Sequence, residues 1–161
     1  MKFEHLVAIN DLSNPAIPVI SRAELWRGLV LRAEMPKLFI PYLDDALIED
    51  RTEVSMQRRL RYGELVVTDT VTLTHQQHVH YDVPAQGEIP PSTMRMTIEE
   101  PQPLALFVRF VYDDHLPDSD DAEQKMMNDY RRSAYQAADV DTVSQIRQLA
   151  ESGQLDGHFN G

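Results

Sequence analysis

Cysteine is absent from the 161 residues of this chain. Disulfide bonds, thiolate metal ligands and a cysteine nucleophile are therefore excluded. Positive charge is also scarce, because 15 Lys and Arg residues face 26 Asp and Glu residues, for a net charge of -11. Proteins that bind nucleic acids hold the phosphates with clustered Lys and Arg, so we expect no nucleic-acid partner.

Long hydrophobic runs are missing as well. A membrane-spanning helix needs about 20 consecutive apolar residues, and no stretch approaches that length. The first residues carry Lys2, Glu4 and His5 where a signal peptide would have a basic segment followed by an apolar one. We therefore expect no membrane span and a cytoplasmic location. With 42% hydrophobic residues, the chain can form one domain spanning residues 1–161.

The first 42 residues predict a strand followed by two helical segments. Residues 3–10 alternate weakly and are typical of a strand. Ser21 and Glu24 have the spacing of a capping box, and apolar residues at helical spacing follow until Pro36. A short helical turn is expected over residues 36–42.

From residue 46 to residue 114 the apolar period is two, which predicts a run of antiparallel strands. Gly63-Glu64 has the glycine that a type II′ hairpin turn requires at its first central position. The resulting register pairs Leu60 with Val67 and Arg58 with Asp69 on the apolar face. A lone buried charge is costly, so we expect these two side chains to form an ion pair.

The strand that follows His75 can pair with the preceding strand in either of two registers. A loop of odd length turns Val79 and Tyr81 inward, whereas a two-residue loop turns His80 inward; the hydrophobic pattern favours the first. His75, His78 and His80 also have a spacing at which imidazoles can converge on zinc. His75 lies across the loop from the other two, so a solvated hairpin is the better interpretation, and we predict no metal site and no cofactor.

A long amphipathic helical region begins after Pro117. Asp120 and Glu123 suggest its N-terminal cap, and Gly153 is placed for a left-handed C-terminal cap. Met126, Tyr130, Ala134 and Ala137 form one apolar stripe, whereas Val143, Ile146 and Leu149 lie almost half a turn away. The pattern therefore predicts a covering helix to residue 138, a break between Asp139 and Thr142, and a separate closing helix.

This order of elements resembles the helix-grip fold of the START-like (SRPBCC) superfamily, which includes birch-pollen-allergen-like proteins. It is most similar to the AtaL-like branch, through the segments FEHLVAIND, LWRGLVLRAEMP, RRLRYGELVVTDTVTL and YRRSAYQAADVDTVSQIRQLA. The resemblance implies an α+β fold in which a curved, seven-stranded antiparallel sheet wraps around a long C-terminal helix. Two short helical segments follow the first strand, and an extra helix closes the chain.

The leading hypothesis is a binding protein for a small hydrophobic or aromatic molecule, held between the sheet and the long helix. Three side chains are predicted as its polar contacts: Arg58, Tyr62 and Asp69. The expected apolar wall consists of Leu60, Val71, Met94, Met96, Val108, Phe110 and Tyr130.

Two alternatives stay open. One is a polyketide cyclase or aromatase-like enzyme, in which Asp69 or an inward His80 moves protons and Arg58 stabilises an oxyanion. The other is an interaction module whose interior is filled by side chains. Both a monomer and a homodimer are compatible with the sequence.

Overall fold

The computed structural model describes residues 1–156, which form one antiparallel sheet and two helices. The strands are β1 (Lys2–Ala8), β2 (Asp45–Glu49), β3 (Ser55–Tyr62), β4 (Leu65–Thr74), β5 (His78–Val83), β6 (Ser92–Glu99) and β7 (Phe107–Asp113), and the helices are α1 (Arg22–Glu34) and α2 (Ala122–Glu151). The strand order is β1-β7-β6-β5-β4-β3-β2. The predicted α+β helix-grip fold with seven strands is confirmed.

Strands β3 and β4 pair in the predicted register. Arg58 lies opposite Asp69, Leu60 opposite Val67 and Tyr62 opposite Leu65. At the turn, Gly63 has a φ of 62°, a left-handed value that glycine adopts without strain. The apolar face of this hairpin points into the molecule, as the alternation of buried and exposed residues along both strands shows.

The loop between β4 and β5 has an odd length. Leu73 pairs with Val79, so the connection consists of residues 75–77. Val79 is 0% exposed and Tyr81 is 4% exposed, which confirms the register that turns the apolar residues inward. His80 consequently lies on the outer face of the sheet, and the inward position that the enzyme hypothesis needed for it is wrong.

Helix α1 starts at the predicted capping box. The Ser21 amide donates to Glu24 Oε1 at 2.9 Å, and the Glu24 amide donates to Ser21 Oγ at 3.1 Å. A 3₁₀ turn at Pro36–Leu38 follows, within the predicted helical segment. The buried face of α1 contributes Leu25, Trp26 and Leu29 to a core that also includes Ile146 and Leu149 of α2.

Helix α2 is continuous from Ala122 to Glu151, so the predicted break and the separate closing helix are wrong. Its N-cap is Asp121, whose carboxylate accepts from the Gln124 amide at 3.0 Å; the predicted cap was one residue too early. At the C-terminus the prediction is confirmed. Gly153 has a φ of 80° and its amide donates to the Ala150 carbonyl oxygen, which closes the helix.

The face of α2 that meets the sheet is also different from the predicted one. Met126 is 67% exposed and Tyr130 is 74% exposed, so the predicted stripe faces solvent. The buried or partly buried residues of the inner face recur every three or four positions, as one straight helix requires. They are Asn128, Arg131, Tyr135, Asp139, Thr142, Val143, Ile146 and Leu149. The first half of this face is polar, and for that reason hydrophobic periodicity does not reveal it.

The close contact between Gly28 of α1 and Ile146 of α2 can be tested by substitution. A Cβ atom at Gly28 would lie 2.7 Å from Ile146 Cγ2 and 3.0 Å from Cγ1. We expect Gly28→Ala to lower the free energy of unfolding by about 1–2 kcal/mol, because overpacking outweighs the higher helix propensity of alanine.

In an Ile146→Ala background the two clashing carbons are gone. There, Gly28→Ala should raise the free energy of unfolding by up to about 1 kcal/mol. Urea denaturation of the four proteins in a double-mutant cycle measures both effects. The same sign in both backgrounds would contradict this account of the helix crossing.

Candidate functional site

A cleft lies between one end of the sheet and the first half of α2, with a volume of ≈ 340 Å³. Because neighbouring strands are antiparallel, the ends of β3, β5 and β7 meet the starts of β1 and β6 there. The cleft is lined by Met1, Tyr62, Tyr81, Val83, Ser92, Thr93, Met94, Tyr112, Asp113, Asp114, Arg131 and Tyr135. Residues from four strands, from the segments next to β1 and β7, and from α2 therefore surround one space.

Aromatic rings form much of the wall. The rings of Tyr112 and Tyr135 stack with their centroids 4.0 Å apart and their planes at 5°. Phe3 lies beside both of them, at 6.2 Å from Tyr112 and 6.3 Å from Tyr135. Across the cleft, burial raises the pKa of Tyr62, so this phenol stays protonated at neutral pH. The wall thus combines flat apolar surfaces with hydroxyl groups, as sites for aromatic molecules do.

A buried carboxyl group supports the Tyr112 ring from behind. The Tyr112 hydroxyl donates a hydrogen bond to Asp139 Oδ1, and His5 Nδ1 lies 3.4 Å from Oδ2. Burial raises the pKa of Asp139 to about 6, although Tyr112, His5 and the charge of Arg32 all favour the ionised form. Burial and the adjacent Asp139 raise the pKa of Tyr112 above its usual range. Tyr112 and Asp139 therefore share one hydrogen bond. Near neutral pH the Asp139 carboxyl group gains or loses its proton, while the Tyr112 phenol stays protonated.

An ion pair closes the other end of the cleft. Arg131 Nη1 donates to Asp114 Oδ2 at 2.9 Å, and the amino group of Met1 donates to Asp114 Oδ1. Burial by itself would raise the pKa of Asp114, but these two cations and the Leu116 amide hold it below its ordinary value. The carboxylate is ionised and already neutralised, so it adds little net charge to the cleft.

Tyr81 is a wall residue whose polar group is both buried and unpaired. Its side chain is buried, and its hydroxyl has no hydrogen-bond partner. The guanidinium carbons of Arg58 and Arg32 lie 4.9 Å and 5.4 Å from the ring centroid, within the range of cation–π contacts. The ring is thus held firmly, while the hydroxyl remains free to donate.

The predicted ion pair between Arg58 and Asp69 is present and buried. Nε donates to Oδ1 at 2.8 Å and Nη2 donates to Oδ2 at 2.6 Å, while Nη1 donates to the Ala33 carbonyl oxygen at 3.1 Å. Burial would lower the pKa of Arg58, but the hydrogen bond to Asp69 and nearby negative charge keep it above the ordinary value. Each carboxylate oxygen accepts from Arg58, and the third hydrogen bond, to Ala33, joins α1 to the sheet.

The cleft includes only part of the predicted wall. Tyr62 and Met94 line it. Four other predicted residues are 0% exposed and belong to the packed core: Val71, Met96, Val108 and Phe110. Leu60 is also buried, at 4% exposure, and Tyr130 lies on the solvent side of α2. These predicted wall residues away from the cleft are therefore part of the packed interior or, for Tyr130, of the helix surface, and the space for a ligand lies at the end beneath the first half of α2.

The sequence reasoning missed the polar half of α2 and its partners on β1 and β7. Arg131, Tyr135 and Asp139 follow one another at spacings of four and continue the stripe of Val143 and Ile146. That continuity was a usable signal, because a helix buries one face along its whole length when it lies on a sheet.

His78 and His80 lie on the outer face of the sheet. Arg95 Nε donates to His80 Nδ1 at 3.1 Å. Partial burial and the charge of Arg95 lower the pKa of His78 and of His80. Within residues 1–156, no three His, Asp or Glu side chains converge closely enough to hold a metal ion. No helix in that same part of the chain is long and apolar enough to cross a membrane.

Comparison by sequence finds a family. The model of the family described as acetylaranotin biosynthesis cluster protein L (AtaL) matches residues 7–153. No curated protein is similar enough in sequence to match the chain.

Comparison by structure finds the same fold in distant proteins. The di-domain ARO/CYC StfQ from the steffimycin biosynthetic pathway superposes with a TM-score of 0.71 at 10% identity, covering 95% of this chain and 51% of StfQ. The ZhuI aromatase/cyclase from Streptomyces sp. R1128 gives 0.61 at 13% identity, with 94% and 93% coverage. Ara h 8.0201 gives 0.56 at 13% identity, with 94% and 98% coverage. The chain spans about half the length of StfQ and of BexL, another di-domain ARO/CYC.

The pKa of Asp139 generates a prediction about stability and pH. Its value of about 6 in the folded protein lies above the ordinary 3.8, so the protonated form is favoured by folding. This contribution is complete below pH 3.8 and is lost as the pH rises through 6, at a total cost of about 3 kcal/mol. Asp139→Asn cannot ionise and still accepts from Tyr112, so at pH 7.5 it should be about 1–3 kcal/mol more stable than wild type.

Urea denaturation at pH 4, 6 and 7.5 checks this expectation. The advantage of Asp139→Asn should shrink towards pH 4, because the wild-type carboxyl group is then protonated in the folded protein and no longer carries a buried charge. Asp129→Asn, at an exposed position on the same helix, is the control and should show no such trend. A variant that is less stable than wild type at pH 7.5 would overturn the argument.

Proposed function

The chain belongs to the AtaL family, and from that premise we propose that it binds a small hydrophobic or aromatic molecule in the cleft under α2. The observation that carries the proposal is the set of four tyrosines around this space: Tyr62, Tyr81, Tyr112 and Tyr135. A volume of ≈ 340 Å³ falls within the range of small-molecule sites. Rings of this kind offer stacking surfaces at low conformational cost, together with hydroxyls that orient a ligand.

The filled core next to the cleft bears on the alternative of an interaction module. Most of the interior leaves no room for a ligand, as that alternative expects. The cleft differs, because its wall includes a buried hydroxyl without a partner. The packed core also leaves one polar atom unpaired, Trp26 Nε1, but of the two residues only Tyr81 lines the cleft, where a ligand can supply the missing acceptor. We therefore favour ligand binding.

Blocking the cleft tests the proposal. N-phenyl-1-naphthylamine is a neutral aromatic probe whose fluorescence rises on transfer from water to an apolar site. We expect wild-type protein to bind it and Ser92→Trp to lose at least tenfold in affinity, because an indole ring at the start of β6 fills the cleft.

Ser133→Trp is the matched control. It adds the same ring to the exposed side of α2 and should leave the affinity within twofold of wild type. Equal binding of the probe by wild type and Ser92→Trp would reject this cleft as the site.

Proton transfer on the bound molecule is a second candidate function, and the Tyr112–Asp139 hydrogen bond favours it. In the proposed step, the Tyr112 oxygen takes an acidic proton from the ligand while its own proton passes to the Asp139 carboxylate. The ligand becomes an enolate, Tyr112 stays neutral and Asp139 becomes protonated. Tyr112 in the cleft and Asp139 behind it would then carry out the proton transfer that the sequence analysis assigned to Asp69 or His80.

Exchange of ligand protons with solvent measures this step without a known substrate. In D₂O, 2-tetralone should lose its acidic C–H signals from the proton NMR spectrum faster with wild-type protein than without it. Because Asp139 must be ionised, the rate should rise as the pH increases through about 6.

We expect Tyr112→Phe to reduce this rate at least tenfold while still displacing the naphthylamine probe. Tyr42→Phe, at an exposed position, is the control. Unchanged exchange in Tyr112→Phe would eliminate the proton-transfer function and leave the binding function standing. The catalytic roles of Asp69 and Arg58, the oligomeric state and the cytoplasmic location stay predictions from the sequence.

A further inference from the structure

Arg32 on α1 is a cation whose charge is not neutralised by an ion pair. Within residues 1–156, no carboxylate lies within ion-pairing distance of it, and its one hydrogen bond runs from Nε to Thr142 Oγ1 at 3.4 Å. Arg58, which also lies within cation–π distance of the Tyr81 ring, is occupied by Asp69 and the Ala33 carbonyl oxygen. Two guanidinium groups therefore lie near one ring, and in that part of the chain only Arg58 has an ion-pair partner.

The Tyr81 hydroxyl is a second group that lacks a partner. Its side chain is more than nine-tenths buried, at 4% exposure, and it lines the cleft. A buried hydroxyl without an acceptor costs free energy that a ligand oxygen can recover. Its position next to Arg32 means that the missing acceptor would also lie in the field of the unbalanced charge.

The two carboxylates of the site, in contrast to Arg32 and the Tyr81 hydroxyl, already have close partners. Asp114 is neutralised by Arg131, and Asp139 is engaged by Tyr112 and His5. A cationic ligand would meet the charge of Arg32, which has no ion-pair partner among residues 1–156 and interacts with Asp139 only at longer range. A purely apolar ligand would leave the Tyr81 hydroxyl unpaired. A negatively charged oxygen satisfies both groups.

We propose that the ligand of this cleft is an aromatic acid, bound with its carboxylate accepting from the Tyr81 hydroxyl in the field of Arg32. The inference rests on the proposed binding function and specifies its ligand class. The ring system of the ligand occupies the space between the stacked Tyr112–Tyr135 pair and Met94. The carboxylate lies at the inner end, where α1 meets β5.

Two probe molecules with the same ring system distinguish the contribution of the charge to binding from the contribution of the ring. 2-Naphthoate and 2-naphthalenemethanol share one ring system, and only the first is an anion at pH 7.5. By isothermal titration calorimetry, wild-type protein should bind the carboxylate at least tenfold more tightly than the alcohol. If both bind equally, the carboxylate inference fails and the binding function stands; if neither binds, the binding function itself fails.

Substitutions at Arg32 and Tyr81 test whether these two side chains cause the preference for the carboxylate over the alcohol. Arg32→Gln should weaken binding of 2-naphthoate about tenfold and leave binding of the alcohol within twofold. Tyr81→Phe should weaken binding of the carboxylate several-fold, because it removes the donor and keeps the ring. A carboxylate preference that survives in Arg32→Gln would overturn the proposal.

Two surface substitutions are the matched controls. Arg132→Gln removes a guanidinium that pairs with Asp129 on the same helix, and Tyr130→Phe removes a hydroxyl from a residue that is 74% exposed. Neither should change the ratio of the two affinities. Should Arg32→Gln fail to fold, Arg32→Lys decides: retention of most of the preference supports the role of the charge, and its complete loss contradicts it.

Discussion

The burial of the Asp139 carboxyl group determines how α2 lies on the sheet. Asp139 is 2% exposed, and its two oxygens face Tyr112 of β7 and His5 of β1. A buried polar group without partners is costly, so rotation of the helix away from these two strands is unfavourable. These two contacts and the apolar residues Val143, Ile146 and Leu149 lie on the same face of α2, which leaves Met126 and Tyr130 in solvent and brings Tyr135 and Arg131 over the cleft.

The two halves of α2 consequently cover two different environments. Val143, Ile146 and Leu149 complete an apolar core with α1, in which Gly28 allows close approach. The first half lies over tyrosines, Met94 and an ion pair. Packing in the core holds the helix in place, and the polar half can then form a cleft because stability does not depend on filling that end. The Arg58–Asp69 pair adds a fixed link between α1 and the sheet at the boundary of the two regions.

The strand register of the sheet could be predicted from the sequence, because it depends on the alternation of apolar and polar residues and on the residues of the turns. Gly63 fixed one register, and the need to bury Val79 and Tyr81 fixed the next. The ion pair between Arg58 and Asp69 followed from that register. Helix α2 could not be placed in the same way, because a hydrophobic pattern treats Asp139, Tyr135 and Arg131 as solvent-facing. Only their partners outside the helix make them interior residues, and those contacts join positions 17 or more residues apart, such as Arg131 with Asp114 and His5 with Asp139. The membership in the AtaL family was predicted from segments spread along the chain and is confirmed.

A helix with an apolar second half and a polar first half is not equally stable along its length. Local opening of the first half exposes groups that water can solvate, so its free energy is well below that of global unfolding. Opening of the second half would expose the core. Amide hydrogens of residues 122–138 should therefore exchange with solvent much faster than those of residues 142–150. Fraying of this one helical segment would therefore widen the cleft without exposing the apolar core.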